Sequence, residues 1–119
     1  MKVYNRKEFL KLPVGTFFAR HDEESVGVIT NLERKGETTP NGNDFYYGEV
    51  LDLDSDDDHY HGYRLEQAAL QARQEGISAE VPLDIGCGGR DGVFDEDELY
   101  LVLNKDEIQE IIDMLQTGL

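Results

Sequence analysis

The sequence predicts a small single α+β domain: an antiparallel sheet with about three helices, in the order α-β-β-β-α-β-β-α. Three observations lead there. A chain of 119 residues can bury one core without metal or disulfide support. Its apolar residues switch between period two and helical spacing. Hydrophobic residues make up 39% and are spread along the chain, which sets it apart from disordered sequences.

The elements follow from local patterns. In "YNRKEFLKLP", Asn5 can cap a short helix, Glu8 stands at the capping-box position, Tyr4 and Phe9 suit a hydrophobic staple, and Pro13 marks the end. "GTFFARH" and "SVGVITNLE" read as strands joined by the acidic loop "HDEES"; the second places Val26, Val28, Thr30 and Leu32 on one face. "RKGETTPNGN" reads as a polar loop, and "DFYYGEVLDLD" as a third strand of a meander. In "YRLEQAALQARQEG" the period changes: Leu65, Ala68, Ala69 and Ala72 form one stripe, and Gly76 is placed to end the helix. "ISAEVPL" reads as a weak strand and "ELYLVL" as a strong one with Leu99, Leu101 and Leu103 on one face. Last comes a helix capped by Asn104 and Glu107, with Ile108, Ile111, Ile112 and Leu115 at helical spacing.

Charge is the most unusual property. The chain carries a net −15, yet residues 1–43 sum to +1 and residues 44–119 to −16. Such a field repels nucleic acid and anionic membranes and favours a basic protein surface as partner. Direct nucleic-acid binding is therefore not expected. "MKVYNRKEFLKLPVGTFF" lacks a continuous apolar signal core, no segment has the length and apolarity to span a bilayer, and the single Cys87 cannot form an internal disulfide. The expectation is a cytoplasmic protein without a cofactor, its oligomeric state left open.

The segment "PLDIGCGGRDG" resembles the cofactor-binding motif of S-adenosylmethionine-dependent methyltransferases. Its context is wrong. That motif needs a helix directly after the glycine turn and further βα units, whereas "VFDEDELYLVL" follows here. The glycines read better as a tight connection between strands. An anion nest on Gly88, Gly89 and Arg90 is the alternative, opposed by the acids crowding the same segment. "DLDSDDDHYHGY" fails as an EF-hand, because Asp57 stands where glycine is required and Tyr63 where glutamate is required. Asp56, Asp58, His59 and His61 offer a transition-metal set without a second ligand cluster, and a solvated acidic loop explains them better. Cys87 with a histidine, or any pair among 26 carboxylates, lacks the context that catalysis demands, so no enzyme is expected.

The segments "YNRKEFLKLPVGTFFAR" and "GRDGVFDEDELYLVL" resemble small uncharacterised proteins of bacteriophages and prophages. That resemblance implies an accessory protein of the kind that inhibits host defence, acting in a bacterial cytoplasm. The leading expectation is a non-enzymatic inhibitor whose acidic surface, charged like DNA, engages a basic nucleic-acid-binding site. Its candidate residues are two acidic runs: Asp52, Asp54, Asp56, Asp57 and Asp58, and Asp91, Asp95, Glu96, Asp97 and Glu98. Together they would imitate duplex DNA, which carries about one charge per 1.7 Å of axis. Two rivals stand beside it. One is a nucleotide-sequestering protein using Gly88, Gly89 and Arg90, helped by another arginine and a stacking tyrosine; the other is an acidic immunity protein that blocks a toxin.

Overall fold

The computed structural model describes residues 1–53 and 61–119. Eleven elements follow in order: β1 (Lys2–Asn5), α1 (Arg6–Phe9), β2 (Phe17–Arg20), β3 (Glu33–Thr38), β4 (Phe45–Glu49), β5 (Asp52–Leu53), α2 (His61–Gln74), β6 (Leu83–Asp84), β7 (Gly88–Arg90), β8 (Leu99–Val102) and α3 (Lys105–Thr117). The α+β class and the antiparallel sheet are as expected. Six strands form one sheet in the order β1-β8-β2-β3-β4-β7, and β5 pairs with β6 in a separate ribbon. Every strand pair is antiparallel.

Phe9, Phe18, Phe45 and Tyr100 are completely buried and form the core on one face of the sheet. Phe9 stacks on Tyr100 with ring centroids 4.0 Å apart and meets Phe18 and Phe45 edge-on, arrangements that suit the aromatic quadrupole. Phe9 reaches this position because Asn5 caps α1 by accepting the Glu8 N–H, and the chain enters α1 directly from β1. Tyr4 packs on the same cluster. By alternation along β2 and β8, Ala19 and Leu101 face the other side of the sheet, and both are buried. There α3 lies, Ile111 lining a common groove with Ala19 and Leu103. The Asn104–Glu107 capping box is formed in full. Coverage by α3 is thin: Ile112, Met114 and Leu115 stay exposed.

Four sequence readings are corrected. Residues 25–32 form no strand; Gly27 has φ 75°, and Val26 is 84% exposed. The strand is instead Glu33–Thr38, which from Arg34 onward lies in the segment read as a polar loop. Its inward residues are polar, Glu33 and Lys35, and hydrophobic alternation cannot register a strand whose buried face is charged. Residues 77–82 likewise form no strand, the short β6 following them, and β1 adds an edge strand where the sequence reading has only Tyr4 and Asn5 leading into the first helix. Finally, Gly88 and Gly89 belong to strand β7, where a methyl group on Gly88 would collide with the Tyr47 carbonyl and the Gly48 Cα. Gly88 thus serves close strand packing, Gly89 faces open space, and Gly86 before them and Gly92 after them take the positive φ that the turns require.

Candidate functional site

The segment that leaves β7 and returns to β8, residues 91–98, is held by buried charges. Arg6 donates from Nη1 to Asp91 Oδ2 (3.1 Å) and the Tyr100 hydroxyl (2.8 Å), and from Nη2 to the Asn43 carbonyl (2.9 Å) and Asp44 Oδ1 (3.4 Å). Arg20 donates from Nε to Glu33 (3.0 Å) and from Nη1 to Asp91 Oδ1 (2.6 Å) and Glu98 Oε1 (3.2 Å). Asp91 therefore bridges two guanidiniums. Asp44, also buried, accepts the Gly92 N–H on both oxygens and pairs with Arg90 Nε at 3.3 Å. The Arg20 guanidinium also lies 5.3–6.0 Å from the ring centres of Phe18, Phe45, Tyr47 and Tyr100.

The electrostatics follow from this wiring. Burial works against the charge on Asp91, but hydrogen bonds and attraction from Arg20 and Arg6 outweigh it and hold its carboxyl below the usual range. Arg20 is pushed above its ordinary value although burial opposes it, because Glu33, Asp91 and Glu98 surround it. Glu33 moves up, chiefly by burial, with Arg20 offsetting in part and Glu49 and Glu98 adding to the rise. Burial and the Glu98 charge also raise Tyr100, which stays a neutral donor to Glu98 at 3.1 Å. No buried side-chain polar atom among the described residues lacks a partner. The cluster is thus a closed staple rather than an open catalytic centre.

Between its anchors the segment alternates. Val93, Asp95 and Asp97 line one groove, while Phe94 and Glu96 line a cavity on the other side. The groove, about 580 Å³, also takes Arg20, His21, Asp22, Glu23, Glu98 and Leu99. Two acidic turns distant in sequence thereby meet. The cavity, about 730 Å³, is bounded by Asn5, Arg6, Lys7, Leu10, Gly42 and Asn43 together with Phe94 and Glu96.

Measured against the sequence, the acidic run of residues 91–98 divides. Asp95, Glu96 and Asp97 are exposed as expected. Asp91 and Glu98 are turned inward, their side chains 2% and 15% exposed, because the two arginines claim them; this corrects their assignment to an outer acidic face. Asp52 lies in β5 opposite Asp84, and Asp54, Asp56, Asp57 and Asp58 lie outside the described residues, as do Asp56, Asp58 and His59 of the metal reading. Among the described residues no group of His, Cys, Asp and Glu is placed to hold a metal. Gly88, Gly89 and Arg90 form no nest: they pair with Gly48, Tyr47 and Tyr46 across β4, and the Arg90 guanidinium leans on Asp44. The sequence reading missed Asp22, Glu23, Lys7 and Phe94. Only the acidic "HDEES" turn carried a visible signal.

No helix among the described residues is long and apolar enough to cross a membrane. No protein-family model, curated protein or solved structure matches the chain.

Proposed function

We propose that this chain is a non-enzymatic binding protein whose acidic groove engages a basic protein surface, of the kind that holds nucleic acid in a host-defence protein. The observation that carries this reading is the convergence of Asp22 and Glu23 with Asp95 and Asp97 on one groove. The groove's arginine, Arg20, is already matched by Glu33, Asp91 and Glu98, and among the described residues no ion pair forms to Asp22, Glu23, Asp95 or Asp97. Val93 and Leu99 add apolar surface between the charges, which lets contact be more than diffuse attraction. The buried staple supports the reading too, since a rigid anchor lowers the ordering cost of presenting a charged loop.

The test is affinity capture from bacterial lysate at low and high salt with three baits: the wild type, a groove variant (Asp22→Asn, Glu23→Gln, Asp95→Asn, Asp97→Asn), and a control of equal net charge (Glu66→Gln, Glu75→Gln, Glu110→Gln, Asp113→Asn). A basic protein is expected on the wild type and the control, absent from the groove variant, released by salt, and blocked from its own nucleic acid while bound. Equal losses by both variants would reduce the effect to bulk charge. A captured protein that still holds its nucleic acid would sink the inhibitory reading.

A further inference from the structure

Phe94 is the one non-glycine residue with positive φ, 57°, among the described residues. A bulky aromatic rarely tolerates this conformation, and the chain sustains it from both sides. Before it, Gly92 donates to Asp44 and Val93 donates to Asp91; after it, Asp97 donates to Asp95 Oδ1 and Glu98 to the Asp95 carbonyl. The ring does not join the aromatic core close by. It stays 47% exposed and lines the cavity of about 730 Å³ above α1.

Three residues of different chemistry line that cavity: the aromatic Phe94, the cationic Lys7 and the anionic Glu96. Lys7 and Glu96 are both exposed. The other cation on the wall, Arg6, is committed through both Nη nitrogens to Asp44, Asp91, Tyr100 and the Asn43 carbonyl. From this set we infer that the cavity binds a guanine-type base as an unphosphorylated nucleoside. The ring stacks on Phe94. Its carbonyl and N7 edge accepts from Lys7, as such edges accept from lysine in nucleic-acid complexes. Its N–H edge donates to Glu96, which as a carboxylate is purely an acceptor. A 5′-phosphate is disfavoured, because the cavity holds one uncommitted ammonium beside a carboxylate in a molecule of net charge −15. This site is separate from the acidic groove and does not depend on the reading given to it.

The experiment is a titration of the full chain with guanosine, adenosine, guanosine 5′-monophosphate and a short oligo-dG strand, followed by amide chemical shifts. The expected result is saturable binding of guanosine, at least tenfold tighter than adenosine or the monophosphate, with shifts centred on Phe94, Lys7 and Glu96. Glu96→Gln and Lys7→Met, both at exposed positions, should each weaken it at least tenfold. Phe94→Gly should abolish it while the Tm holds or rises, since glycine relaxes the strained backbone. No saturable guanosine binding at millimolar concentration overturns the proposal. So does unchanged affinity in Phe94→Gly, or tighter binding of the monophosphate or the strand than of the nucleoside. Groove variants at Asp22 and Glu23 should leave the titration unchanged, so this site and the acidic groove fail or stand apart.

Discussion

The segment of residues 91–98 and the excursion that carries α2 treat their side chains in opposite ways. In the first, Asp91 and Arg6 are buried, Glu98 and Arg20 are partly buried, and their ion pairs tie the segment to the sheet. In the second, β5 and β6, which flank α2 in the chain, close a two-residue ribbon, and Tyr63, Leu65 and Leu70 of α2 remain exposed. Charge is buried where apolar surface would be ordinary, and apolar surface is exposed where charge would be. The contrast separates two sources of order. Buried ions hold a loop because each has its partner, whereas an amphipathic stripe without a surface to cover supplies only local helix propensity.

A large effect should come from breaking the staple. Asp91→Asn removes the carboxylate that Arg6 and Arg20 share, leaves Arg6 with Asp44 and Arg20 with Glu33 and Glu98, and should cost about 3 kcal/mol in urea unfolding at neutral pH. The pH dependence identifies the cause. A carboxyl held below its unfolded value contributes stability that is full above the unfolded aspartate range, about pH 4, and lost as pH falls through the folded value. The gap between wild type and variant should therefore close in acid. Glu33 acts in the opposite sense: its raised value makes the folded state the better proton binder as pH falls, so it does not add to acid lability. A gap that persists at low pH would mean that packing, not charge, holds the loop.

A smaller effect of opposite sign is expected where a buried charge has no counter-ion among the described residues. Lys35 is 1% exposed, and its ammonium donates to the Gly36 carbonyl (3.1 Å) and Thr38 Oγ1 (2.9 Å). Burial draws its pKa down. Wild-type stability should then rise with pH between that lowered value and the free-lysine range, about 10.4, because the unfolded chain binds the proton more tightly there. Lys35→Met should remove that rise and add about 1 kcal/mol at neutral pH, as when buried charge is replaced by apolar volume. A loss of stability instead would show that the two hydrogen bonds outweigh desolvation.

The same contrast explains what could be read from the chain alone. The helix ends were legible because capping is local: Asn5, Gly76, Asn104 and Glu107 act within a turn of their own positions. β8 was legible as a strand from its alternating leucines, although the core residue on its other face, Tyr100, was not singled out. β3 was illegible because Glu33 and Lys35 are interior only once Arg20, thirteen residues from Glu33, supplies a partner and the Thr38 hydroxyl takes the ammonium. Asp91 and Glu98 were misassigned for the same reason, their partners lying more than seventy residues away. Asp22 and Glu23 could be read as acidic, but their meeting with Asp95 and Asp97 depends on β2 lying beside β8. Pairing between distant charges leaves no periodicity in a sequence.

The smallest effect should come from α2, and it tests the comparison from its weaker side. Phe9→Ala removes a ring that three other buried rings touch and should cost about 3–5 kcal/mol. Leu70→Ser, on an exposed helix position, should change stability by about 0.5 kcal/mol or less. Thermal unfolding of the two variants beside the wild type measures both. A loss of more than about 1 kcal/mol at Leu70 would mean that α2 is covered in solution, since truncating a side chain that stands in water removes almost no buried area in unfolding. A loss that grows with protein concentration would further identify the cover as a second copy, because only association makes stability depend on concentration. Equality with the wild type would leave α2 as an element that adds surface without adding stability, and the fold would rest on the aromatic cluster and the charges that staple it.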